Sequence, residues 1–146
     1  MWLQWGGFSP VLLGAQACEA IGEDQLALAW ATGGLETPHE LGGDPKPSTL
    51  VECRLVRARV IARRGLPGDE NKAAADFESA AATAEKFGMT FLQAVALSQH
   101  KSFVPRLTTA AHGARLDATV ARLHSAPEVI HELLAGSGTR ARGLVR

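Results

Sequence analysis

From Lys72 to Gly88 the chain reads KAAADFESAAATAEKFG, and the spacing inside that stretch limits the fold more than any other feature of the sequence. Ala73, Phe77, Ala80, Ala81, Ala84 and Phe87 fall at i, i+4, i+7, i+8, i+11 and i+14, a continuous stripe along one side of a helix. Lys72, Asp76, Glu78, Ser79, Thr83, Glu85 and Lys86 take most of the remaining positions, so the stretch is patterned rather than scattered. Small residues in such a stripe let a neighbouring helix come close. The stretch predicts a helix capped by Asp69 and running to about Phe87, with Gly88 in the left-handed conformation that closes a helix.

Similar signals recur along the chain. Ser9 followed by Pro10 marks a helix start, because a serine oxygen can accept from free amides and proline tolerates the first helical position. That helix ends near Gly22. Leu26, Ala27, Trp30, Ala31 and Gly34 then make one face of a second helix, loosened at Gly33 and Gly34, with Trp30 as a core anchor. Residues 36–48, ETPHELGGDPKPS, form the one clear irregular connection in the first half. Thr49 with Glu52 has capping-box spacing and opens a helix packed through Val51, Leu55, Ala58 and Ala62. Leu66, Pro67 and Gly68 turn the chain, with Gly65 or Gly68 as the turn glycine. Thr90 with Gln93 starts a further helix that Pro105 ends, and Leu92, Val95, Ala96, Gln99 and Phe103 share its face. Leu116, Val120 and Leu123 mark one short helix, and Ser125 with Glu128 opens another through Val129, Ile130, Leu133 and Leu134. About seven helices and no strand make an all-α chain. The expectation is one helical domain over residues 1–135, with pairs at about 10–35 and 49–87 and further helices at 90–135, followed by a flexible basic tail at 136–146.

Composition narrows the class. With 46% apolar and 21% charged residues the chain can bury a core, and 15 Lys plus Arg against 15 Asp plus Glu leave no global field that would draw it to nucleic acid or an anionic membrane. Two widely separated cysteines, Cys18 and Cys53, fit a reducing cytoplasm better than a disulfide scaffold, and both are expected as buried, inert thiols. No basic segment leads into the apolar N-terminus and no apolar run approaches the roughly 18 residues of a membrane span. The abrupt WLQWGG opening, with Trp2 and Trp5 near the start, reads as a piece of a larger parent chain.

Gly68, Ala73, Phe77 and Ala80 are separated by offsets of five, nine and twelve from the glycine, and Gly22, Ala27, Ala31 and Gly34 repeat those offsets 46 residues earlier. In this the sequence resembles the tetratricopeptide repeat family, whose helix pairs carry a turn glycine, a small residue, an aromatic and another small residue. The family period is about 34 residues, and the connection at 36–48 accounts for the excess. The resemblance covers about residues 10–103. It implies antiparallel helix pairs stacked as a right-handed superhelix, and a groove lined by the first helix of each pair that binds a peptide, a protein, or another domain of a parent chain, without catalysis or cofactor.

Few residues suggest chemistry. Arg54, Arg57, Arg59, Arg63 and Arg64 share the helix that would line the groove, and guanidinium groups suit carboxylates and phosphates. If Gly65 is the turn residue, Glu52, Arg59 and Arg63 face the groove. A solvated helix face is the plainer account of the arginines, and a nucleic-acid or phosphate ligand on residues 54–64 is the alternative. His39, His100, His112, His124 and His131 have no metal-ligand spacing and are expected at the surface. No convergent acid, base and nucleophile can be assembled, which leaves a small enzyme as the least favoured reading. Glu78→Ala is expected to be nearly silent beside Phe77→Ala.

Overall fold

The computed structural model describes residues 9–36, 46–123 and 129–135. Helix α1, Pro10–Ala20, begins as the sequence predicts, with Ser9 Oγ accepting from Leu12 N–H at 3.3 Å and Pro10 in the first turn. Helices α2 (Asp24–Glu36), α3 (Pro47–Arg64), α4 (Asp69–Lys86) and α5 (Thr90–Phe103) follow. A short 3₁₀ turn at Pro105–Leu107 leads to α6, Ala110–Ala121, and α7 occupies 129–135. Among the described residues there are seven α-helices and no strand, and no helix is long and apolar enough to cross a membrane. Most of the 36–48 connection, Trp2, Trp5, His39, His124, the Ser125–Glu128 box and the tail at 136–146 lie outside the described residues.

Two helix ends show why the turns are so short. Gly22 and Gly88 both take left-handed backbone, at φ +82° and +68°. After α1, Gly22 N–H donates to Glu19 O and Glu23 N–H to Cys18 O; after α4, Gly88 N–H donates to Glu85 O and Met89 N–H to Ala84 O. Each pair of bonds satisfies the last carbonyls of its helix and turns the chain into the next one.

Three expected starts or ends differ. α3 opens at Pro47 rather than at Thr49, because a proline in the first turn loses no helical hydrogen bond. Glu52 is then interior to α3, and its carboxylate accepts from Gln16 Nε2 at 2.9 Å instead of closing a capping box. Between α3 and α4, Gly65 and Gly68 are both left-handed, so the turn uses both candidates. Asp69 is the first residue of α4 and is buried rather than a cap. Its carboxylate accepts from Arg64 twice at 2.8 Å and from Leu66 N–H at 3.0 Å, closing the turn from inside. The Arg64 hydrogen bonds, helped by that amide, hold the Asp69 carboxyl at about 2 against the effect of burial.

Each helix packs on its neighbour in the chain from α1 to α6, and α1 with α3 and α3 with α5 also touch directly. α3 thus stands between α1 and α5. The main core gathers Val51, Leu55 and Ala58 of α3, Phe77 with Ala73, Ala80, Ala81 and Ala84 of α4, and Leu97 of α5, and continues through Leu116 and Val120 of α6 to Ile130 and Leu134. Ala73, Phe77, Ala80, Ala81 and Ala84 are fully buried, so the stripe is the buried side of α4 up to Ala84. Phe87 is not part of it: it lies past the last helical residue, 52% exposed, with Lys86 Nζ 5.4 Å above its ring.

A smaller core of Ala15, Ala27, Ala31, Val56 and Val60 joins α1, α2 and α3. Leu26 and Trp30, expected in this core, are 52% and 45% exposed. Each precedes a buried alanine by one residue, about 100° around the helix, and α2 turns its smallest line inward. α2 also stays helical through Gly33 and Gly34 instead of loosening there. A Cβ on Gly34 would sit 2.9 Å from both Cys53 Sγ and Val11 Cγ1, so at this glycine α2 lies close against both α1 and α3. Gly34→Ala should therefore cost about 1–3 kcal/mol by overpacking despite its better helix propensity. Gly33→Ala, with nothing within 4 Å, should be neutral or stabilising. Urea denaturation of both variants checks the contrast, and equal midpoints would refute the close approach.

Candidate functional site

The arginines of α3 were expected on a solvated face, and the structure corrects this. Helical spacing sends them to two sides. Arg54, Arg57 and Arg64 turn towards α4. Arg54 Nη1 donates to Thr83 Oγ1 at 2.9 Å, and Arg57 forms two 2.7 Å bonds to Asp76. Arg64 holds Asp69 as described. The hydrogen bonds to Asp76 raise the Arg57 pKa further above an already high value, so its guanidinium stays charged.

Glu52, Arg59 and Arg63, the three groove candidates, lie together on the side of α3 that meets the first helix pair. Arg59 donates from Nε and Nη2 to both carboxylate oxygens of Glu19 on α1, at 2.9 and 2.6 Å, and from Nη1 to Gln99 Oε1 on α5 at 2.8 Å. Arg63 reaches Glu19 at 3.0 Å and Asp24 at 3.2 Å. With Gln16 bonded to Glu52, this side of α3 is a polar clasp tying α1, α3 and α5 together. The side chains of Arg59 and Glu19 are only 11% and 6% exposed. Both charges are engaged inside the protein, and a ligand would have to displace a charge-assisted fork to recruit either of them.

The second polar cluster lies at the α4, α5 and α6 junction and was missed at the sequence level. His100 is buried at 2% exposure, not at the surface. Its ring packs 6.0 Å from that of Phe77 and 4.4 Å from that of His112, centroid to centroid. His112 Nε2 lies 2.5 Å from Glu78 Oε1, and His100 Nδ1 lies 4.0 Å from the same oxygen. Arg115 Nη1 donates to the other oxygen, Glu78 Oε2, at 3.1 Å. His112 is oriented from behind: its Nδ1 accepts from Thr109 N–H at 3.0 Å and lies 2.8 Å from Thr109 Oγ1. An imidazole thus fills the third helical position of α6, where a capping box normally has Glu or Gln. Thr109 three residues before His112 is the only local signal the sequence held.

Electrostatics suit this arrangement. Burial pushes the Glu78 carboxyl upward, but the Arg115 hydrogen bond and charge, followed by His112, outweigh it and hold the group below its ordinary value. Burial, followed by the neighbouring His112, pushes His100 down, so the ring is neutral at physiological pH. His131 on α7 is exposed and separate from the cluster. Neither cysteine belongs to either cluster. Cys53 is buried, and its thiol is pushed up to about 11 by burial and then by the charge of Glu52, which makes it a poor nucleophile. Cys18 is half-buried. The comparisons with known proteins leave the reading to these residues: no family, curated protein or solved structure matches the chain.

Proposed function

We propose that the chain is a non-catalytic, tetratricopeptide-like helical-repeat module that holds another protein or another part of a parent chain. The observation that carries this reading is the row formed by α1, α3 and α5, fastened by the Glu19–Arg59–Gln99 bridge across three first helices. Stacked helix pairs of that kind keep an extended surface in a fixed shape, which is what recognition by shape complementarity requires. Leu13, Leu26 and Trp30 on the first pair are each close to half exposed and supply apolar contact area on the same module, tryptophan being a frequent interface anchor. The α3 arginines are engaged by Thr83, Asp76, Glu19, Asp24 and Asp69, which favours this reading over a nucleic-acid ligand on residues 54–64.

Capture from native cell extract, with the wild-type chain and a Trp30→Ala/Leu26→Ala variant as baits, tests the proposal. A defined protein enriched by the wild type and reduced on the variant is the expected result. Steeply salt-dependent polynucleotide binding, lost in Arg54→Ala/Arg57→Ala, would favour the nucleic-acid reading instead.

A further inference from the structure

His100 is the only residue among those described whose buried side-chain nitrogens lack any hydrogen-bond partner, and both of its ring nitrogens are in that state. A buried polar group left unpaired is costly, and in native proteins such a group commonly marks a functional role or an absent ion. Here the ring does not face a purely apolar wall. Glu78 on α4 and His112 on α6 converge on it, and one potential ligand atom from each of the three residues lies within 4.8 Å of the other two.

We propose that Glu78, His100 and His112 bind one divalent ion of the zinc class, through one carboxylate oxygen and two imidazole nitrogens, with a fourth position open to water or to a partner's side chain. The donor set decides the class. Two imidazoles and one carboxylate match zinc and its first-row neighbours, whereas magnesium and calcium prefer all-oxygen sites. Bonds of about 2.0–2.2 Å around a tetrahedral ion put neighbouring ligand atoms about 3.3 Å apart. The Glu78–His112 contact would open by about 0.8 Å and the wider approaches would close by about 0.7 to 1.5 Å, within reach of side-chain torsions.

The surrounding groups fit the same assignment. Glu78 presents Oε1 to both histidines while Oε2 keeps its bond to Arg115, so the guanidinium orients the carboxylate from the outer shell and its charge stays engaged. His112 would ligate through Nε2, which places its ring proton on Nδ1. On ligation that proton would go to Thr109 Oγ1, 2.8 Å away, and Nδ1 would give up the bond it accepts from Thr109 N–H in the metal-free protein. The three ligands come from α4, α5 and α6, so the ion would fasten the third helix pair to the second.

The purified full chain, stripped with a chelator, is titrated with Zn²⁺ alone by calorimetry and with Co²⁺, whose visible absorption reports the ligand geometry. The expected result is one ion per chain, a melting temperature that rises with ion concentration, and movement of the His100 ring-nitrogen resonances on binding. Glu78→Gln and His112→Gln alter side chains that are 39% and 18% exposed and should leave the helical fold intact. Each should weaken binding by more than the roughly 10–100-fold typical of losing an outer-shell partner. His124→Ala/His131→Ala should bind as the wild type does. No saturable binding by the wild type, unmoved His100 resonances, or affinity unchanged in both glutamine variants would each overturn the assignment.

Discussion

Phe77→Ala is expected to lower stability by about 3–5 kcal/mol, the range for removing a buried aromatic ring. The ring is completely buried in the main core, 6.0 Å from His100 and 6.2 Å from Phe103 between centroids. The neighbours on its own helix are Ala73, Ala80, Ala81 and Ala84, which have no side-chain freedom with which to fill the space. The cavity therefore stays, and the cost should sit in the upper part of the range. Urea denaturation followed by circular dichroism measures it. Phe87→Ala is the matched control, because that ring is half exposed beyond the end of α4, and it should change stability by no more than about 0.5 kcal/mol. Equal losses in the two variants would mean that Phe77 does not anchor α4 against α5. Glu78→Ala is a poorer control than the sequence suggested, since it removes the acceptor shared by His112 and Arg115.

The second large effect is expected at Arg59. Arg59→Ala takes both hydrogen bonds of the fork from Glu19 and the one to Gln99, in a region where the two charged side chains are 11% and 6% exposed. Removing one partner of a buried pair leaves the other charge poorly solvated, at a cost of about 3–5 kcal/mol. Arg63 remains on Glu19, which puts the expected loss near 3 kcal/mol. Arg59→Lys should recover little, because an ammonium cannot span both Glu19 oxygens and Gln99 in the geometry of the planar fork. The bridge is shielded from solvent, so the loss should change little between low and moderate salt. Denaturant titrations at two ionic strengths read both features. A loss below about 1 kcal/mol, the level of an exposed ion pair, would show that the α1–α3–α5 row does not depend on the bridge.

Much of the helical framework was legible because its signals are local. Ser9 and Pro10 start α1, Gly22 and Gly88 close their helices, and the alternation around Phe77 places one side of α4 inside, each within a few residues of chain. The errors came where two local signals competed. Thr49 with Glu52 has the spacing of a capping box, yet Pro47 two residues earlier starts the helix and Glu52 finds Gln16 on α1. Leu26 and Trp30 share a broad helical face with Ala27 and Ala31, yet only the alanines are buried. The width of a face is visible in a sequence, but the line along it that a neighbour will cover is not.

The candidate sites depended on contacts of longer range. The sequence by itself determined an all-α chain, the approximate helix boundaries, the turn glycines and the small residues that permit close packing, because each depends on spacings of three or four residues or on the backbone freedom of one glycine. Only the tertiary structure decided that Arg59 would meet Glu19, 40 positions away, and that His112 would reach Glu78 across 34 positions. Those meetings are set by the rotation and axial register of one helix against another. A shift of one residue rotates a side chain by about 100°, enough to carry His100 out of the α4–α5–α6 junction.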